Sequence, residues 1–136
     1  MESARKPKQV IVVRSDLKMQ RGKEIAQGAH ASMSFLSHRL KALAGTGAET
    51  TYTLLLRDVE TEWLYNGKFT KIGLKVDSEQ ALDEVYAKAK AAGLEAYMIV
   101  DSGLTVFHGV PTKTCVAIGP DWEDKIDAIT SGLGLR

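Results

Sequence analysis

Thr70-Lys-Ile-Gly-Leu-Lys-Val76 runs directly into Asp77-Ser-Glu-Gln-Ala-Leu-Asp-Glu-Val-Tyr-Ala-Lys-Ala-Lys-Ala-Ala-Gly93, and Ala96-Tyr-Met-Ile-Val100 follows after two residues. The first segment alternates apolar and polar side chains, the pattern of a half-buried strand. The second carries the marks of a helix: Asp77 or Ser78 as N-cap, acidic residues early, lysines late and Gly93 as the stop. The third is a strand again. A strand, helix, strand unit predicts parallel pairing through a right-handed crossover, and so an α/β fold.

Working outward, Gln9 to Arg14 has the β-branched run of a buried strand, and Thr114 to Ile118 reads as another. A long helix is predicted from about Lys23 to Ala44. Ile25, Ala29, Met33, Leu36, Leu40 and Leu43 fall on one stripe at helical spacing, which predicts the core-facing side. Lys23, Gln27, His30, Ser34 and Lys41 make a neighbouring polar stripe. Gly45 to Lys68 reads as a loop followed by a short helix over 59–64 around Trp63, although Thr50 to Leu56 has strand-like composition. Trp122 to Thr130, with Pro120 before it and Gly132 after it, fits a final helix.

The 136 residues correspond to a single domain, 1–136, long enough to bury a core without staples, with residues 1–7 expected to be flexible. The first eight residues contain no apolar leader core, and no apolar run approaches the roughly 20 residues that span a bilayer, so a cytoplasmic protein without membrane contact is expected. Cys115 is the lone cysteine and cannot form an internal disulfide. With three scattered histidines, no metal-ligand spacing arises, and neither metal nor cofactor is expected. Residues 1 to 41 hold nine basic against three acidic side chains, a local +6 in a chain whose total is +1. Such asymmetry suits a polyanionic partner, although a solvated surface carries charge in the same way.

Lys18, Arg21 and Lys23 surround the start of the long helix, where free N–H groups and the helix dipole favour an anion such as phosphate. The spacing is not that of a P-loop, so nucleoside triphosphate hydrolysis is not indicated. His30 lies one turn beyond Gln27 at the border of the two stripes, a place that also suits a satisfied, partly buried histidine. Asp101-Ser-Gly103 follows a strand and reads equally as a turn. If strands 9–14 and 96–100 are parallel, and the strand from Thr114 antiparallel, then Arg14 to Lys23, Asp101 and Thr114 converge on one sheet edge. A carboxylate beside lysine and hydroxyl groups can orient water and stabilise an oxyanion. Cys115 is expected to be buried and inert, with no histidine paired to it.

Lys18-Met-x-x-Gly-Lys-x-x-Ala-Gln-x-x-His-Ala31, Asp101-Ser-Gly-x-Thr105 and Thr114-x-Val-x-Ile-Gly-Pro120 together resemble the type II peptidyl-tRNA hydrolases, over nearly the whole chain from Lys8 to Leu135. The resemblance implies a three-layer α/β/α fold, here with a mixed, mainly parallel four-stranded sheet, often assembled as a homodimer. It also implies cleavage of the ester joining a peptide to the terminal ribose of tRNA. The implied catalytic set is Lys23, Gln27, His30, Asp101, Thr105 and Thr114, with tRNA held by the basic residues around Lys18; within the basic first third, Lys18, Arg21, Arg39 and Lys41 are the expected nucleic-acid contacts. The sequence departs from the family pattern in three places: Arg21 stands where lysine is usual, Ser102-Gly-Leu104 replaces Ala-Gly followed by an often basic residue, and the loop Phe107 to Thr112 is longer. Two rivals use the same residues: a tRNA- or RNA-binding module without catalysis, and a deacylase of another acyl-tRNA.

Overall fold

The computed structural model describes residues 5–43, 45, 49–104 and 107–136. The elements in order are β1 (Pro7–Arg14), α1 (Arg21–Lys41), α2 (Asp58–Thr61) continued by a π-helical turn (Glu62–Asn66), β2 (Lys71–Val76), α3 (Glu79–Ala91), β3 (Ala96–Asp101), β4 (Thr112–Trp122), α4 (Glu123–Thr130) and β5 (Gly134–Leu135). Of the amino-terminal lead, residues 1–4 lie outside the described residues. Arg5 pairs with Asp124 at 3.0 Å, and Pro7 already belongs to β1.

The sheet has five strands in the order β3-β4-β1-β2-β5. β1 and β2 pair in parallel, whereas β4 is antiparallel to both β1 and β3, and β5 is antiparallel to β2. The expected four-stranded, mainly parallel sheet is therefore corrected to a five-stranded mixed sheet with mostly antiparallel pairing. The physical reason is that β4 inserts between β1 and β3. β2 and β3 run in the same direction, as their linking helix requires, but the crossover passes over two strands and leaves them unpaired. The two residues of β5 escaped the sequence reading because so short a strand has no periodicity.

Val10 and Val12, in the central strand, are fully buried, as β-branched side chains flanked by β2 and β4 should be. On one face they join Leu82, Val85 and Ala89 of α3 and Ile126 of α4 in a single core. On the other, Val13, Cys115 and Ala117 pack with Ala31 of α1. Ser78 caps α3, its hydroxyl accepting from the Ala81 N–H at 3.0 Å. Trp63 is buried and donates its indole N–H to the Thr70 carbonyl at 2.8 Å, which anchors the π-helical turn where a short helix was expected.

α1 departs most from expectation. Ala44, the expected end of the helix, lies outside the described residues, and the helix closes at Lys41. Its buried residues are Gln27, Ala31, Ser34 and Phe35, whereas Ile25 is 66% and Met33 54% exposed and Leu40 and Leu43 are exposed too. The apolar stripe read as core-facing thus points outward. The polar side wins the sheet because its groups find partners there. Thr114 donates to the Gln27 carboxamide oxygen at 2.5 Å, the Ser34 hydroxyl bonds the His30 carbonyl at 2.8 Å, and Gln9 and Ser32 exchange two hydrogen bonds between β1 and α1. A buried polar group with a partner costs little, and small Ala31 admits the sheet closely. Among the described residues no helix is long and apolar enough to cross a membrane.

Candidate active site

Asp101 ends β3 at the same edge of the sheet as the carboxyl ends of β1 and β2. One carboxylate oxygen, Oδ1, accepts from Lys23 Nζ at 2.8 Å and from Gln27 Nε2 at 3.3 Å. The other accepts the Gly103 backbone N–H at 2.8 Å. Lys23 and Gln27 are four residues apart, so one turn of α1 places both over the strand end. Behind them Thr114, fully buried at the start of β4, fixes the Gln27 carboxamide by donating to its oxygen and so turns its NH₂ toward Asp101. Thr114, Gln27, Asp101 and Lys23 form one continuous hydrogen-bonded chain across three elements. The turn reading of Asp101 is met in its geometry: its bond to Gly103 is an Asx-turn, which also immobilises the carboxylate.

Lys23 and the Gly103 N–H hold the Asp101 carboxyl below the ordinary carboxylate range. It is a fixed anion, a good acceptor from a water O–H and a weak base. Burial pushes the Cys115 thiol up to about 11, and its sulfur donates to the Gln27 carbonyl at 3.4 Å; it is a packed side chain rather than a nucleophile.

The remaining expected residues divide. His30 is exposed on α1, one turn beyond Gln27, and has no hydrogen bond to the Asp101 group among the described residues. Thr105 lies outside the described residues. Lys18 and Arg21 are exposed at the β1–α1 corner, where Lys18 takes a left-handed backbone (φ 51°) and Arg21 opens the helix. Arg14 ties that corner down, bonding Asp16 Oδ2 at 2.7 Å and the Lys113 carbonyl at 3.1 Å. Lys41 is exposed at the far end of α1. Arg39 is engaged inside the fold, giving both terminal nitrogens to Glu60 at 2.7 and 2.6 Å and one of them also to Glu95 at 3.0 Å. Sequence reasoning missed the Gly103 amide and the ring of Phe107, whose centroid is 5.7 Å from Lys23 Nζ. The spacing Asp-x-Gly was the available signal for the first. Among the described residues no group of three or more potential ligands could hold a metal ion.

An ordered carboxylate, an ammonium group and a buried amide–hydroxyl pair thus lie together at a sheet edge, beside a basic helix start. Residues 7–136 match the family model described as peptidyl-tRNA hydrolase PTH2. A peptidyl-tRNA hydrolase of Methanopyrus kandleri is 42% identical over 129 residues, covering 94% of this chain and 97% of the relative. One of Methanocaldococcus jannaschii is 40% identical over 129 residues, covering 94% and 98%. A probable peptidyl-tRNA hydrolase 2 of Dictyostelium discoideum is 38% identical over 128 residues, covering 94% of this chain and 54% of the relative. The chain belongs to the type II peptidyl-tRNA hydrolase family.

Proposed function

We propose that this protein hydrolyses the ester between a peptide and the terminal ribose of tRNA, on a three-layer α/β/α scaffold and in the cytoplasm, where translation releases such esters. The observation that carries the reading is the Thr114, Gln27, Asp101, Lys23 chain at the carboxyl edge of the sheet. Water is the nucleophile. It adds to the ester carbonyl, the bond to the ribose oxygen breaks, and the proton lost by water ends on that oxygen. Asp101 orients the water rather than deprotonating it outright, because its carboxyl is held below the usual range. Lys23 stabilises the charge that develops on the carbonyl oxygen. Gln27 and Thr114 keep Asp101 in register, and His30 and Thr105 complete the proposed set from the helix rim and from the Asp-Ser-Gly-x-Thr motif. Lys18, Arg21 and Lys41 are the proposed phosphate contacts. Arg39 joins them only if phosphate competes with two carboxylates.

The test is incubation of purified protein with N-acetylated and free aminoacyl-tRNA, following acid-precipitable label. Loss from the blocked substrate alone is expected. Equal loss from both would make the protein a general deacylase, and binding without loss an RNA-binding module.

A homodimer belongs to the same reading. Its support is the outward face of α1, where Ile25, Met33, Leu40 and Leu43 lie exposed along the helix. Contiguous apolar surface of this kind marks an interface, and a twofold axis lets one stripe cover its own copy.

A further inference from the structure

We infer that Leu104 and Val110, on either side of the β3–β4 connection, form an apolar lip that receives the side chain of the esterified amino acid, so that the protein favours peptides ending in a large apolar residue. The inference rests on the ester-hydrolysis reading above and deepens it. Leu104 is 84% and Val110 59% exposed, an unusual display of aliphatic surface on a hairpin that also carries the catalytic carboxylate. The hairpin is built onto the site rather than hanging beside it. Gly103, with φ 84°, donates its N–H to Asp101, and its carbonyl accepts from the Gly109 N–H at 2.8 Å. The Val110 backbone lies so close over Gly103 that a Cβ there would come within 2.3 Å of the Val110 oxygen. Val110 N–H in turn bonds the Phe107 carbonyl at 2.9 Å, and Phe107 packs against the α1-side core with its ring facing Lys23. The Val110 backbone thus lies over Gly103, whose amide Asp101 holds, and Leu104 follows Gly103 directly in the chain.

Reaction geometry fixes what can reach them. The scissile carbonyl must lie within hydrogen-bond distance of Lys23, or of a water held by Asp101. The side chain of the esterified residue branches from the carbon bonded to that carbonyl, so it must rest on whatever surface flanks the pair. The ribose and its phosphates leave the carbonyl in the other direction and need cations, which Lys18 and Arg21 supply at the β1–α1 corner. The uncharged, aliphatic flank is left to the acyl side. Gly103 tolerates no side chain there, which keeps the lip at a fixed distance from Asp101.

The experiment compares kcat/KM for N-acetyl-leucyl and N-acetyl-glycyl esters on the same tRNA body, so that tRNA contacts cancel in the ratio. The leucyl ester is expected to be hydrolysed about five- to tenfold better, the low end of what an apolar contact discriminates on an open surface. In Leu104→Ser/Val110→Ser the ratio should fall to within about twofold of one, and in Leu104→Phe it should hold or rise. Both positions are exposed, so thermal melting of the variants should stay near the parent. A parental ratio near one, or a ratio unchanged in the serine variant whatever the absolute rates, would overturn the lip. Failure of the parent to hydrolyse either ester would instead overturn the reading on which it rests.

Discussion

Asp101 both ends β3 in a turn and stands at the centre of the proposed site. Its carboxylate accepts three hydrogen bonds, from Lys23, the Gly103 amide and Gln27, and all three lower its pKa, Lys23 most. Because the folded value lies below the unfolded 3.8, the stabilisation it gives is present above that pH and is lost as pH falls through the folded value. Activity should accordingly show no acid limb from this group between about pH 5 and 7, checked by the pH dependence of kcat. Asp101→Asn keeps the shape but removes the charge that Lys23 and the water require. Turnover should drop on the order of a hundredfold with tRNA affinity little changed, measured by steady-state kinetics and filter binding. Activity within about threefold of the parent would return Asp101 to a turn-forming role. From the sequence Asp101, Lys23 and Thr114 could be placed at one edge, because strand ends and a helix start are local signals. The Gly103 amide and Phe107 could not, since both act through a hairpin whose path periodicity does not describe.

At the scale of elements, α1 is where local reading and structure part. Its apolar stripe follows helical spacing perfectly well, yet Gln27 and Ser34 face the sheet because their partners lie on β4 and in the helix backbone itself. A pattern rule that sorts residues by polarity cannot see a hydrogen bond made to a residue 87 positions away. By contrast β1, β2 and β3 were legible, and α3 more so, since caps and charge gradient agree with its apolar spacing. The same long-range logic governs Arg39. Read as a phosphate contact from the basic first third of the chain, it joins α1 to α2 through Glu60 and to Glu95, just before β3. Burial alone would raise the Glu60 carboxyl, but the Arg39 hydrogen bonds and the Arg57 N–H outweigh it and leave it lowered. Arg39→Gln should cost about 3 kcal/mol in urea denaturation, the low end for a broken buried pair because Arg57 still faces Glu60. The salt dependence of tRNA binding should not change in that variant, whereas Arg21→Ala should reduce the slope by about one. A reduced slope in Arg39→Gln would restore its phosphate role.

For the whole molecule, the order β3-β4-β1-β2-β5 brings the carboxyl ends of three codirectional strands to one edge and lets β4 begin there, with Thr114 close to its start beside β3. Ile25, Met33 and Leu40 of α1 are exposed in the single chain. Ile25→Lys combined with Met33→Glu should convert a dimer to a monomer in light scattering while leaving the fold intact, because both side chains are exposed in the single chain. A particle of unchanged mass would assign that face to something other than self-association. The central claim, however, is that residues from α1, β3 and β4 work as one catalytic unit, and a double-mutant cycle of Gln27→Ala and Asp101→Asn on kcat/KM for N-acetyl-aminoacyl-tRNA tests it most directly. Since Gln27 Nε2 lies 3.3 Å from Asp101 Oδ1, the double variant should be no more than about threefold slower than the worse single variant. Losses that simply multiply would mean that the helix and the strand end serve separate purposes and that the site is not this one.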